Sequence, residues 1–97
     1  MANFPPLKNH LIYCLGKIIR REHLTGPFLD VGCGGGDVAA FLSAQGWTGK
    51  AIDIAEPTAR AAQERLAASG VSVACASIFS ESGQYATVLA LDILEHI

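Results

Sequence analysis

Phe28-Leu29-Asp30-Val31-Gly32-Cys33-Gly34-Gly35-Gly36-Asp37 joins the end of one element to the start of the next and sets the architecture of the chain. Its first four residues form a short, mostly apolar run halted by glycines, the pattern of a buried parallel strand. Asp37 then opens a helical pattern through Val38, Ala39, Ala40, Phe41 and Leu42, and Gly46 stands where a left-handed C-terminal cap is wanted. The glycines between strand and helix have a specific use. A ligand reaches the main chain closely only where no side chain intervenes, and the tight turn needs backbone angles that a β-carbon opposes. Backbone N–H groups at a helix N-terminus face outward, so a carboxylate or phosphate suits that space.

Working outward, the same alternation recurs. A strand is expected over 49–54, then a helix with Pro57 at its first position running to Ser69 and ended by Gly70, then a strand from Val71 to Cys75. Ser80 to Gln84 is a polar connection, and Tyr85 to Leu91 is an unbroken apolar run of strand length. Upstream, Leu7, Leu11, Ile12, Leu15, Ile18 and Ile19 recur at helical spacing, which makes 7–23 an amphipathic helix that covers one face of a sheet. Strands alternating with helices at short spacing imply right-handed crossovers and a parallel sheet.

Spacing separates two classes of ligand. A dinucleotide fingerprint that starts at Gly32 needs a third small residue at position 37, which is Asp37, and a carboxylate there repels pyrophosphate. The frame Gly34-x-Gly36-x-x-Ala39 keeps a dinucleotide-dependent oxidoreductase in view, although it begins late relative to the end of the strand. A second acid, Asp53, closes the next strand, where dinucleotide binders place the carboxylate that accepts ribose hydroxyls, so that residue alone does not discriminate.

Phe28 to Gly36, with its acid and alternating glycines, resembles the first motif of class I S-adenosylmethionine-dependent methyltransferases. The run Tyr85 to Leu91 followed by Asp92-Ile93-Leu94-Glu95-His96-Ile97 is similar to the fourth motif of the small-molecule members, including the ubiquinone-pathway O-methyltransferases. The resemblance spans nearly the whole chain. It implies a three-layer αβα Rossmann-like sandwich with strands in the order 3-2-1-4, of which residues 1–97 are the N-terminal part of a single domain. The fourth strand is then an open edge, so the chain reads as truncated, by roughly a hundred residues, or as half of an assembly that self-associates there.

The resemblance also implies site residues and a cofactor, S-adenosylmethionine. Gly32, Cys33, Gly34 and Gly36 line its methionine portion, with the amides around Gly32 and Gly34 facing it, and Asp30 supports its ammonium group. Asp53 holds the ribose and Ile54 packs on the adenine. Ser77 and Ile78 stand at the adenine edge, and Leu91 with Asp92 lies beside the methionine end. The family commonly has an acid where this chain has Ser77, so a hydroxyl or main chain meets the adenine amino group. The implied activity is methyl transfer to a small-molecule acceptor, with a catalytically inactive cofactor-binding module as the rival.

Several residues have plainer readings. Asp30 also suits a structural carboxylate bonding the glycine turn. Asp92, Glu95 and His96 fall three and four apart, similar to the E-x-x-E-H set of metal-assisted small-RNA methyltransferases. The further His that such a site needs is not in this chain, and no metal is expected. His96 is a candidate general base, although a His at a helix start more often caps or packs. His10 and His23 read as surface residues, and Cys33 as a small filler.

Composition narrows the rest. The 97 residues are 51% hydrophobic and 16% charged with a net charge of −2, which describes a globular unit without a basic face, so no nucleic-acid partner is expected. Three cysteines, Cys14, Cys33 and Cys75, lack zinc-type spacing and read as reduced thiols in the cytoplasm. Pro5 and Pro6 interrupt any signal-peptide pattern, and no apolar run reaches membrane-spanning length.

Overall fold

The computed structural model describes residues 6–91, with side chains from Asn9 onward. In chain order the elements are α1 (Pro6–Glu22), β1 (Phe28–Val31), α2 (Asp37–Ala44), β2 (Gly49–Asp53), α3 (Glu56–Arg65), β3 (Val71–Cys75), a one-turn 3-10 helix (Ile78–Ser80) and β4 (Thr87–Leu89). All pairings are parallel and the strand order is β3-β2-β1-β4, as expected.

Register decides what each face of the sheet carries, because laterally paired residues of parallel strands project to the same side. Phe28, Asp30, Gly49, Ala51, Val71, Val73 and Leu89 share one face. Leu15 of α1, Val38, Ala39 and Leu42 of α2, and Ala62 of α3 with Leu66 just beyond it pack into the same core as Phe28, Ala51 and Leu89. Phe28 is fully buried, and its ring explains Gly49, where a β-carbon would stand 2.4 Å from the Phe28 carbonyl oxygen and 2.5 Å from its ring. The opposite face holds a small cluster of Leu29, Val31 and Ile52, covered by Ala76 and Tyr85. Among the described residues, then, all three α-helices lie on one face, and the sandwich has one helical layer formed.

Local signals set the helix ends. Gly36 precedes α2 with φ 89°, and Gly46 follows it with φ 89°, both in the left-handed region that favours glycine. Trp47 donates its amide to the Leu42 carbonyl and tilts against Phe28 with ring centroids 6.4 Å apart, which packs it over the end of α2. α1 ends on His23 at φ 54°, with the Leu24 amide bonded to the Ile19 carbonyl, a Schellman-type closure. Its basic last turn, Arg20 and Arg21, suits the negative end of the helix dipole.

Two elements are shorter than the sequence suggests. α3 stops at Arg65 instead of Ser69, because the Ser69 hydroxyl donates to the Leu66 carbonyl at 2.7 Å and accepts the Val71 amide at 3.1 Å, a local alternative to further helix. β4 covers Thr87–Leu89 instead of Tyr85–Leu91, and it is not buried on both sides. Leu89 is buried, but Val88 is 57% exposed and Ala86 and Ala90 are exposed. Tyr85 is drawn off the strand line by its bond to Glu81, and only β1 supplies ladder partners. The other edge of β4 has no strand beside it among the described residues.

Candidate functional site

Four parallel strands put their C-terminal ends on one edge of the sheet, and the residues singled out from the sequence gather there. Asp30, in β1, is 3% exposed. The turn that follows takes positive φ at Gly32, Gly34 and Gly36, at 71°, 56° and 89°. At Gly36 a β-carbon would also stand 3.1 Å from Leu66, so the position is both strained and crowded for any other residue.

The amides of this turn are used differently from the expectation. Those of Gly32 and Cys33 both donate to the Ile52 carbonyl, at 2.9 and 3.0 Å, and that of Gly36 donates to the Cys33 carbonyl at 3.0 Å. The Gly34 amide donates to Asp53 Oδ2 at 3.0 Å, while Asp53 Oδ1 accepts the Ala55 amide at 2.9 Å. The Gly32, Cys33 and Gly34 amides hold the turn to β2, and the Gly36 amide closes the turn on itself. Asp53 is thus both the clip between the two βα turns and a half-buried carboxylate with acceptor capacity left, since two oxygens offer about four lone-pair sites and these contacts take two. Cys33 is buried at 3% exposure, a filler as expected, and it packs in the core below the turn.

At the end of β3 the Ser77 hydroxyl caps the 3-10 helix by accepting the Phe79 amide at 3.1 Å, and the Ser77 carbonyl accepts the Ser80 hydroxyl at 2.8 Å. One lone pair and the O–H of Ser77 stay available. Ile54 is 79% exposed and Ile78 45% exposed at the ends of neighbouring strands. Phe79, next to Ile78 in the chain and 98% exposed, had not been singled out from the sequence. Its signal was an apolar pair in a segment with neither strand nor helix periodicity. Leu91 is half-buried against the helical-face core. Asp92 and His96 lie outside the described residues, as does Glu95, and among those described no group of His, Cys, Asp or Glu is arranged to hold a metal.

One polar cluster braces this edge, and a second lies over the opposite face, toward the N-terminal ends of the strands. On the helical side, the Arg65 guanidinium pairs with the Asp37 carboxylate and also donates to the Gly35 carbonyl at 3.3 Å. On the other side, Glu81 receives the Lys50 ammonium at 3.0 Å and the Tyr85 hydroxyl at 2.7 Å. The Tyr85 hydrogen bond and then Lys50 hold the Glu81 carboxyl below its ordinary range, and the same bond, followed by burial, pushes the Tyr85 phenol up. Cys14, Cys33 and Cys75 are free thiols, and no helix among the described residues is long and apolar enough to cross a membrane.

Comparison with known proteins agrees with this geometry. Residues 28–97 match the methyltransferase domain family. The chain is 33% identical over 103 aligned positions to the ubiquinone biosynthesis O-methyltransferase of Burkholderia orbicola (strain MC0-3) and 34% identical to that of Pseudomonas fluorescens (strain SBW25); in each case 99% of this chain aligns with 44% of the relative. The chain therefore spans less than half the length of these curated relatives. Among solved structures, magnesium protoporphyrin IX methyltransferase from Synechocystis PCC 6803 with bound SAM superposes with a TM-score of 0.76 at 24% identity, over 91% of this chain and 46% of that one. A bifunctional kinase-methyltransferase superposes at 0.73 and 18% identity, over 91% of this chain and 22% of that one. The matched motif, the 3-2-1-4 parallel sheet and the glycine turn clipped to Asp53 agree, and the chain belongs to the methyltransferase domain family, as an N-terminal portion of its S-adenosylmethionine-dependent, Rossmann-like class.

Proposed function

We propose that the chain binds S-adenosylmethionine across the C-terminal edge of its sheet and forms the cofactor half of an enzyme that methylates a small-molecule acceptor. One observation carries the reading: Asp53 stands against the glycine turn with both oxygens anchored by backbone amides and acceptor capacity to spare, as a carboxylate that takes two vicinal hydroxyls must. The remaining residues fit the same ligand. Buried Asp30 offers a carboxyl group to the ammonium group, the turn from Gly32 to Gly36 keeps side chains away from the methionine portion, and exposed Ile54 and Ile78 offer apolar surface to the adenine. Phe79 adds to that surface, and Ser77 keeps a donor and an acceptor for the adenine edge.

Bound there, the cofactor supplies an activated methyl group. The contribution of this chain is to hold it still and shield it, so that in-line attack by an acceptor gains mainly from positioning. Leu91, and Asp92 beyond the described residues, are assigned to the methionine end. The names of the curated relatives support a hydroxyl-bearing small molecule as acceptor, without a nucleic-acid substrate. Free thiols support a cytoplasmic setting.

The test is calorimetric titration of the chain with S-adenosylhomocysteine and, separately, with NADH. Binding of the first and not the second is expected, and Asp53→Ala should weaken it by about 1–3 kcal/mol through lost buried hydrogen bonds. A folded sample that ignores S-adenosylhomocysteine overturns the reading.

A further inference from the structure

Asp37 poses a physical problem that the cofactor reading leaves open. It stands at the first position of α2, beside the turn assigned to the amino-acid end of the ligand, where its negative charge opposes a ligand carboxylate. The structure answers with a residue from the next βα unit. Arg65, at the last position of α3 and 28 residues away in sequence, pairs with Asp37 and donates to the carbonyl of Gly35 inside the turn, while adjacent Leu66 packs against Gly36. The Arg65 and Asp37 side chains are 36% and 24% exposed, so solvent screens their pair only in part.

We propose that Arg65 is a positioning residue for the methionine end of the cofactor: it holds the glycine turn in shape and cancels the charge of Asp37 there. This rests on the cofactor assignment above and adds to it a residue that touches neither ligand nor acceptor. Its action is local to one end of the ligand. Removing it must therefore weaken ligands that carry the amino-acid portion and spare those that lack it, whereas a residue that merely stabilises the fold affects both alike.

The experiment compares S-adenosylhomocysteine with 5′-methylthioadenosine, which keeps adenine and ribose but has no amino-acid carboxylate or ammonium. Both are titrated calorimetrically into the wild-type chain, Arg65→Met, Arg65→Lys and the double variant Arg65→Met/Asp37→Asn. Arg65→Met should lose about three- to fivefold in affinity for S-adenosylhomocysteine, in keeping with a half-exposed ion pair, and less than twofold for 5′-methylthioadenosine. Arg65→Lys keeps the charge but not the planar fork that serves two acceptors, so it should recover part of that loss. The double variant, free of the opposing charge, should also recover part of it. Equal losses for both ligands, or no loss for either, overturn the role of Arg65 while leaving the cofactor assignment intact. If the wild-type chain binds neither ligand, the assignment falls and this inference with it.

Discussion

The two faces of the sheet are built from the same four strands and are held in different ways. On one, α1, α2 and α3 bury Phe28, Ala51 and Leu89 under Leu15, Val38, Ala39, Leu42, Ala62 and Leu66. On the other, among the described residues, cover comes from the connection between β3 and β4, whose Tyr85 and Ala76 lie over Leu29, Val31 and Ile52 while Val88 stays exposed. The first face is secured by apolar packing. The second relies on a polar clasp, in which Lys50 from β2 and Tyr85 both address the Glu81 carboxylate. Stability should therefore respond to volume on one face and to charge and pH on the other.

The largest effect belongs to the packed face. Leu42 is fully buried, so Leu42→Ala should cost about 2–5 kcal/mol in denaturant-induced unfolding. A cost below 1 kcal/mol would mean that this face is as loosely held as the other, and the comparison fails. Next comes Gly36→Ala, which places a β-carbon at φ 89° and 3.1 Å from Leu66. Left-handed strain of roughly 1–2 kcal/mol should appear in the same measurement, with the crowding against Leu66 adding to it.

The clasp predicts a pH dependence. Because the folded-state pKa of Glu81 lies below its ordinary value of 4.5, its contribution is present in full above that value and is lost as pH falls through the lower folded value. Tyr85 works in the opposite sense. Its folded pKa lies above 10.0, so its contribution is present below that value and is lost as pH rises through the folded one. Glu81→Gln should thus be less stable than wild type at pH 7, with the gap closing as unfolding is repeated at progressively lower pH below 4.5. A gap that stays constant with pH would show that the clasp contributes shape and no charge. The smallest effect is expected for Val88→Ser, within about 0.5 kcal/mol for an exposed residue. A larger loss, together with a sedimentation coefficient that rises with wild-type concentration, would show a second copy covering this face or the adjoining edge of β4.

Much of the architecture was legible in the sequence, and the reason is locality. A strand stopped by glycines, a helix opened by Asp37 and closed by Gly46, and Pro57 at a helix start are each written within a few neighbouring residues, and each stands within one residue of where it was expected, α3 opening at Glu56. The placement of Asp30, Asp53 and Ser77 along one edge was legible for a related reason, since the C-terminal ends of parallel strands must share one edge of the sheet. Phe79 was not, because nothing local distinguishes an apolar side chain left exposed from one buried in a core. The length of Tyr85–Leu91 misled for the opposite reason, as an apolar run does not say how many faces find cover.

The alternation of elements, the glycine turn and the acids at the strand ends were therefore written along the chain, all set by backbone preferences and short-range periodicity. How those parts are used follows from the packed arrangement. The amides of Gly32, Cys33 and Gly34 went to Ile52 and Asp53, Arg65 came to serve a turn 30 residues before it, and one sheet face received the three α-helices while the other received a clasp. Each of these depends on which residues the crossovers bring together in space, and hydrogen bonds and ion pairs form by distance in three dimensions, on which spacing along the chain is silent.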